Sequence, residues 1–121
     1  MREYSFEKLN IWNDVRELIK DMYQITSKYP DTEKFGLVNQ MRRAMISVSS
    51  NIAEGSSRTG KKDQAHFYQM AFSSLIEVLS QLIVSKDLSI IDEEEYIVIR
   101  SKIENLAPRI GSLRNYQLSK R

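Results

Sequence analysis

The sequence predicts an all-α protein folded as an antiparallel, up-down-up-down four-helix bundle. Three observations predict it. Apolar residues recur at helical spacing almost throughout, with no strand-type alternation of Val, Ile and Thr. Proline and glycine are scarce, at two and four residues. The few breaks divide the chain into four segments joined by short connections, which favours antiparallel neighbours. A chain of 121 residues is a single domain by size, spanning residues 1–121.

In the first segment Ile11, Val15, Leu18, Met22, Ile25 and Tyr29 step by four and three, with Trp12, Ile19 and Tyr23 as a second row. Tyr29-Pro30 breaks the pattern, because a residue before proline is pushed out of the helical region. The second segment starts near Thr32 and carries Leu37, Met41, Ala44, Met45, Val48 and Ile52, with Gly55 placed to cap its end. The third runs from about Lys61 to Lys86 through Phe67, Ala71, Leu75, Val78 and Leu82. The fourth opens on the acids of "DEEEY", suited to a helix N-terminus, and steps through Tyr96, Ile99, Ile103, Leu106, Ile110 and Leu113. Pro108 and Gly111 interrupt it. The apolar stripe continues past Pro108, so the expectation is a kink rather than an end.

Composition excludes several functions. There is no cysteine, so disulfides, thiolate nucleophiles and cysteine metal sites are absent. The single histidine, His66, cannot make a histidine-rich metal site, and no cofactor is expected. The N-terminus mixes charges of both signs, unlike a signal peptide, and no uninterrupted apolar run reaches membrane-span length. A cytoplasmic protein without a membrane partner is the expectation. A net charge of +2 does not by itself imply nucleic-acid binding.

The stretch "GSSRTGKK", residues 55–62, is one letter short of a phosphate-binding loop. Such a loop follows a buried strand, opens a helix and needs a hydroxyl after its lysine to hold magnesium. Here a helical segment precedes it and Lys62 takes the hydroxyl's place. It is a turn. Arg58, Lys61 and Lys62 then cluster at one end of the bundle.

The residues around this turn, with "LNIW", Tyr29-Pro30, "QMRRA", "NIAEG", Arg58, Phe67 and the Ser74/Glu77 pair, carry a resemblance over nearly the whole chain. The protein resembles the small four-helix bundle proteins encoded in intervening sequences of bacterial 23S rRNA genes. The resemblance implies a homopentamer without established catalytic activity. A similar bundle in diversity-generating retroelements partners a reverse transcriptase and nucleic acid. That likeness supports a fold more than a role.

Polar residues on the apolar helices suggest a network. A hairpin of the second and third helices centred near Thr59 and Gly60 sets Arg43 opposite Glu77, Asn51 near Gln69 and Glu54 opposite His66. Arg43, Ser47, Asn51 and Glu54 share one helix face at spacings of four, four and three. The expectation is a hydrogen-bonded network that sets register, with Arg43 and Glu77 paired. The competing reading, a small-molecule enzyme using Glu54, His66 and Arg43, lacks a nucleophile.

The third helix is apolar on more than one side, so a monomer would expose a patch of the kind that marks an interface. At one end of the bundle gather Arg58, Lys61, Lys62, Arg114, Lys120 and Arg121. In a lone subunit these read as a solvated loop and tail; in a ring of subunits they converge on one rim and would engage RNA phosphates. The leading expectation is therefore a non-enzymatic, homo-oligomeric scaffold that binds RNA. The alternative is an adaptor for a protein partner such as a reverse transcriptase.

Overall fold

The computed structural model describes residues 1–119. Four helices, α1 (Asn10–Thr26), α2 (Leu37–Ser57), α3 (Lys61–Asp87) and α4 (Glu93–Ser119), form a closed antiparallel ring in which each packs on its two neighbours. The backbones of the diagonal pairs α1/α3 and α2/α4 stay apart. α3 approaches α2 and α4 closely, whereas α1 sits less tightly against α2 and α4.

The predicted stripes are the core, except that Phe67 is only half-buried and lies under the Arg58 guanidinium, while Tyr68 takes the buried place against Gly55. Val15, Leu18, Met22, Met41, Met45, Val48, Ile52, Leu75, Val78, Leu82, Ile99, Ile103 and Ile110 are all essentially inaccessible. Each such side chain contributes about 1.5–3 kcal/mol on burial. That scale explains Pro108, which sits inside α4 without ending it. Its missing N–H leaves the Glu104 carbonyl unbonded, at a cost of about 3 kcal/mol. Burial of Ile110 beyond the proline opposes that loss, and Pro108 and Glu104 both face solvent, where water can satisfy the carbonyl. The helix runs through the proline, as the stripe requires.

Local signals set the helix ends. Asp92 caps α4, its carboxylate accepting from the Glu94 amide at 3.0 Å. α3 ends with the paired bonds Ser89 N–H to Lys86 C=O and Ile90 N–H to Ser85 C=O, the Schellman arrangement, with Ser89 at φ 59°. By length and composition α3 could cross a membrane, with a mean hydropathy of 1.3 over its most apolar window. Here it lies between α2 and α4, with Ala65, Tyr68, Ala71, Leu75, Val78, Leu82 and Ser85 buried along one side.

Two expectations are corrected. α2 begins at Leu37, not near Thr32: a 3-10 turn at Asp31–Glu33 comes first, and Gly36, at φ −107° and ψ −105°, separates the two. Gly55 does not cap α2. The helix continues to Ser57, and Gly55 is buried where α2 crosses α3, against the Tyr68 ring. A Cβ at Gly55 would stand 2.6 Å from Tyr68 Cε1 and 3.2 Å from Phe67 Cβ. The residue is glycine for space, not for backbone freedom.

The two helical glycines should therefore respond oppositely to alanine. At Gly111 a Cβ would meet Arg114 Nη2 at 3.5 Å and Phe72 Cε2 at 3.9 Å, which are ordinary contacts. Gly111→Ala should raise stability by about 0.5–1 kcal/mol through helix propensity alone. Gly55→Ala should lower it by about 1–3 kcal/mol through overpacking. Thermal unfolding of both variants checks this, and equal shifts of the same sign would refute the account of Gly55.

Candidate nucleic-acid interface

The basic end of the bundle is built from the α2–α3 connection and the last turns of α4. Arg58 follows α2 directly, its amide bonding to the Gly55 carbonyl at 3.3 Å. Its guanidinium is compensated: it lies 3.2 Å from Glu54, 3.7 Å from Asp63 and 4.5 Å above the Phe67 ring. Lys61 and Lys62 open α3 and are exposed. Arg114 is half-buried, hydrogen-bonded to Gln69 of α3 and to Asn115, with its charge 5.5 Å from the Phe72 ring centre. Lys120 and Arg121 lie outside the described residues. The structure thus brings Arg58, Lys61 and Lys62 into one turn and sets Arg114 two turns along the same end. Two carboxylates already partner the arginine of that turn.

The polar network forms only in part. Ser47 of α2 and Ser74 of α3 hydrogen-bond at 3.0 Å, and Asn51 donates to the Ser47 carbonyl at 2.9 Å and hydroxyl at 3.0 Å. The Ser47–Ser74 bond bridges the two helices at the level the hairpin register requires, and Asn51 supports it from within α2. The expected Arg43–Glu77 pair does not form. Both side chains are exposed, and Glu77 instead accepts from Gln81 Nε2 at 3.2 Å. Glu54 does not meet His66 either: it takes Arg58, while His66 is exposed and stacks edge-on to Phe67 at 5.7 Å. Asn51 does not reach Gln69, which bonds Ser73 and Arg114. Burial pushes the Tyr68 hydroxyl above its ordinary pKa, so the phenol against Gly55 stays neutral. Among the described residues no group of three or more His, Asp or Glu side chains could hold a metal ion.

Two features escape a reading by periodicity. The first is a ladder of ion pairs across the α1–α4 seam: Arg109 to Asp14 at 2.7 Å, Lys102 to Asp21 at 2.6 Å, and Lys28 to Glu95. Steps of seven residues from Asp14 through Asp21 to Lys28, just past the end of α1, are matched by steps of seven down α4. Charges at a seven-residue spacing on both helices were the available signal. The second is a concave surface of Tyr23, Asn39, Arg42, Arg43 and Ile46 on the α1–α2 side. Arg42 lies 4.4 Å above the Tyr23 ring and donates to Thr26 Oγ1 at 2.9 Å and to the Tyr23 carbonyl at 3.2 Å.

With this geometry in place, the family comparison is direct. The 23S rRNA-intervening sequence protein family matches residues 7–112. The chain belongs to that family. No curated protein matches the chain. Family membership and the bundle agree with one another. The matched span includes Arg58, Lys61 and Lys62 and stops at Gly111-Ser112, short of Arg114.

The ladder should act as a set of exposed pairs, each worth under about 1 kcal/mol. Lys102→Glu would set two carboxylates together and should lower the unfolding midpoint at low salt, with the deficit shrinking at high salt. Adding Asp21→Lys to it should restore most of the loss. Failure of the double reversal to recover stability would show that the seam is held by packing alone.

Proposed function

We propose that this family member is a non-catalytic, homo-oligomeric scaffold, a pentamer, that binds RNA. The observation that carries the reading is the apolar row on α3. Phe72, Ile76, Leu79 and Ile83 step by four, three and four along the border between the α4 seam, where Phe72 lies by Gly111, and the outer side of α3. Ile76 and Val84 are 41% and 43% exposed, and with Leu79, Ser80 and Ile83 they line a shallow, mostly apolar groove. On α4 beside it, Ile97 is 57% exposed. A second copy of the chain covers such a surface without requiring a further partner gene, and the pentamer is what the family resemblance implies. In a ring, one copy of Lys61, Lys62 and Arg58 per subunit gathers on a rim, and phosphate binding grows with the number of cations engaged. The dispersal of Glu54, His66 and Arg43, all exposed and none bonded to another, supports a role without catalysis.

Light scattering at micromolar concentration should give a mass several times the 14.1 kDa of one chain. The double variant Ile76→Glu/Val84→Glu changes exposed positions, so its helical circular dichroism should persist while its mass falls to that of a monomer. A wild-type monomer would overturn the oligomer. Separately, wild-type protein should bind labelled RNA with an affinity that falls steeply with salt, and Arg58→Ser/Lys61→Ser/Lys62→Ser should weaken it and flatten that dependence.

A further inference from the structure

The arginines from Arg16 to Arg114 divide into two groups. Arg58, Arg100 and Arg109 have carboxylate partners within 3.7 Å, and Arg114 has amide partners. Arg16, Arg42 and Arg43 have no carboxylate partner among the described residues, and all three lie on the α1–α2 side. The cause is a division of charge on α1. Its acids Asp14, Glu17 and Asp21 line the groove against α4, where Arg109 and Lys102 take Asp14 and Asp21. Arg16 falls on the other side, 5.0 Å from the Trp12 ring centre. Along α2 the sequence holds no Asp or Glu between Glu33 and Glu54, so nothing there compensates Arg42 and Arg43. The result is a positive surface interleaved with aromatic rings.

We propose that this α1–α2 surface is a binding site for single-stranded RNA, a deepening that rests on the RNA reading above. Arg43 and Arg16 are exposed and engage phosphates. Tyr23, 40% exposed, and the Arg42 guanidinium fixed above it form a planar platform on which a base stacks. Arg42 needs no further ordering, because Thr26 and the Tyr23 carbonyl hold it. The Asn39 side chain at the edge of the same concavity supplies an amide donor and acceptor to a base edge. Unlike Arg58, these arginines have no carboxylate that a phosphate must displace. The site also lies across the bundle from the apolar row of α3, so self-association through that row leaves it open.

The test uses the full-length protein and a short fluorescein-labelled single-stranded RNA of mixed sequence, read by anisotropy across a salt series. Arg16→Gln/Arg43→Gln alters exposed side chains away from the core, so the fold should hold, as circular dichroism checks. It should weaken binding about tenfold or more at low salt and reduce the salt slope by about 0.7 for each phosphate no longer neutralised. Tyr23→Leu should cost about fivefold or more in affinity while leaving that slope unchanged, the signature of lost stacking. RNA binding that survives the arginine variant but is lost in Arg58→Ser/Lys61→Ser/Lys62→Ser overturns this inference and leaves the proposed function standing. No RNA binding by the wild type fails the proposed function, and this inference with it. Competition by polyglutamate equal to that by RNA, abolished in the arginine variant, would assign the surface to an acidic protein segment and overturn the proposal.

Discussion

The close passage of α3 between α2 and α4 is the constraint from which the rest follows. Small residues on α3 and its neighbours let the backbones approach. Ala71 and Ala65 are buried on α3, Gly55 of α2 receives the Tyr68 ring, and Gly111 of α4 lies beside Phe72. Ser47 and Ser74 complete the α2 crossing with a hydrogen bond rather than with bulk. Once three helices are fitted this tightly, α1 has only the remaining trough. It fills that trough with Leu18 and Met22 and is fastened at its edge by charge. A helix held by exposed ion pairs is the element most sensitive to salt, because screening weakens exposed pairs and leaves buried apolar contacts intact.

The same constraint sets what α3 shows to solvent. A helix with neighbours on two flanks still has an outer side. On α3 that side carries Ile76, Ser80 and Val84, with Glu77 as its one carboxylate between Asp63 and Asp87. Placing Glu77 outside removes the difficulty of a buried, unpaired charge, which would cost more than any single core contact returns. It also means that the hydrogen bond between α2 and α3 is made by neutral groups, Ser47 and Ser74, with Asn51 supporting Ser47 from within α2, and their burial is far less demanding.

The sequence made the helices, their order and most of the core legible, because a 3.6-residue period records which side of a helix is buried. Val15, Met41, Val48, Leu75, Ile99 and Ile103 all lie where the stripes put them. The polar partners were harder to read for a geometric reason. Hairpin register gives the level of a residue along the axis, not its angle around it. Arg43 and Glu77 stand at matching levels but turn outward on separate helices, so they do not pair. Gly55 was ambiguous in another way, since glycine serves both turns and close approaches, and only the Tyr68 ring decides between them. The α1–α4 ladder was legible in principle. Asp14, Asp21 and Lys28 repeat at the spacing of Glu95, Lys102 and Arg109, but only the ring order of helices shows that these two rows face each other.

Charge placement on α1 finally links packing to surface chemistry. Because α4 supplies Lys102 and Arg109 to the seam, the acids of α1 are consumed there and cannot neutralise the opposite flank. A bundle of net charge +2 can thus carry a strongly basic face without being a strongly basic protein. The distinction matters for an anion in solution, which responds to the local field within about 10 Å at ordinary salt and not to the total. At the bundle end, Glu54 and Asp63 cancel much of what Arg58 offers. On the α1–α2 side no such cancellation occurs among the described residues, and the Arg16 and Arg42 guanidiniums rest on rings rather than on carboxylates. Stacking on a ring holds a guanidinium in place while leaving its charge available, which a salt bridge does not.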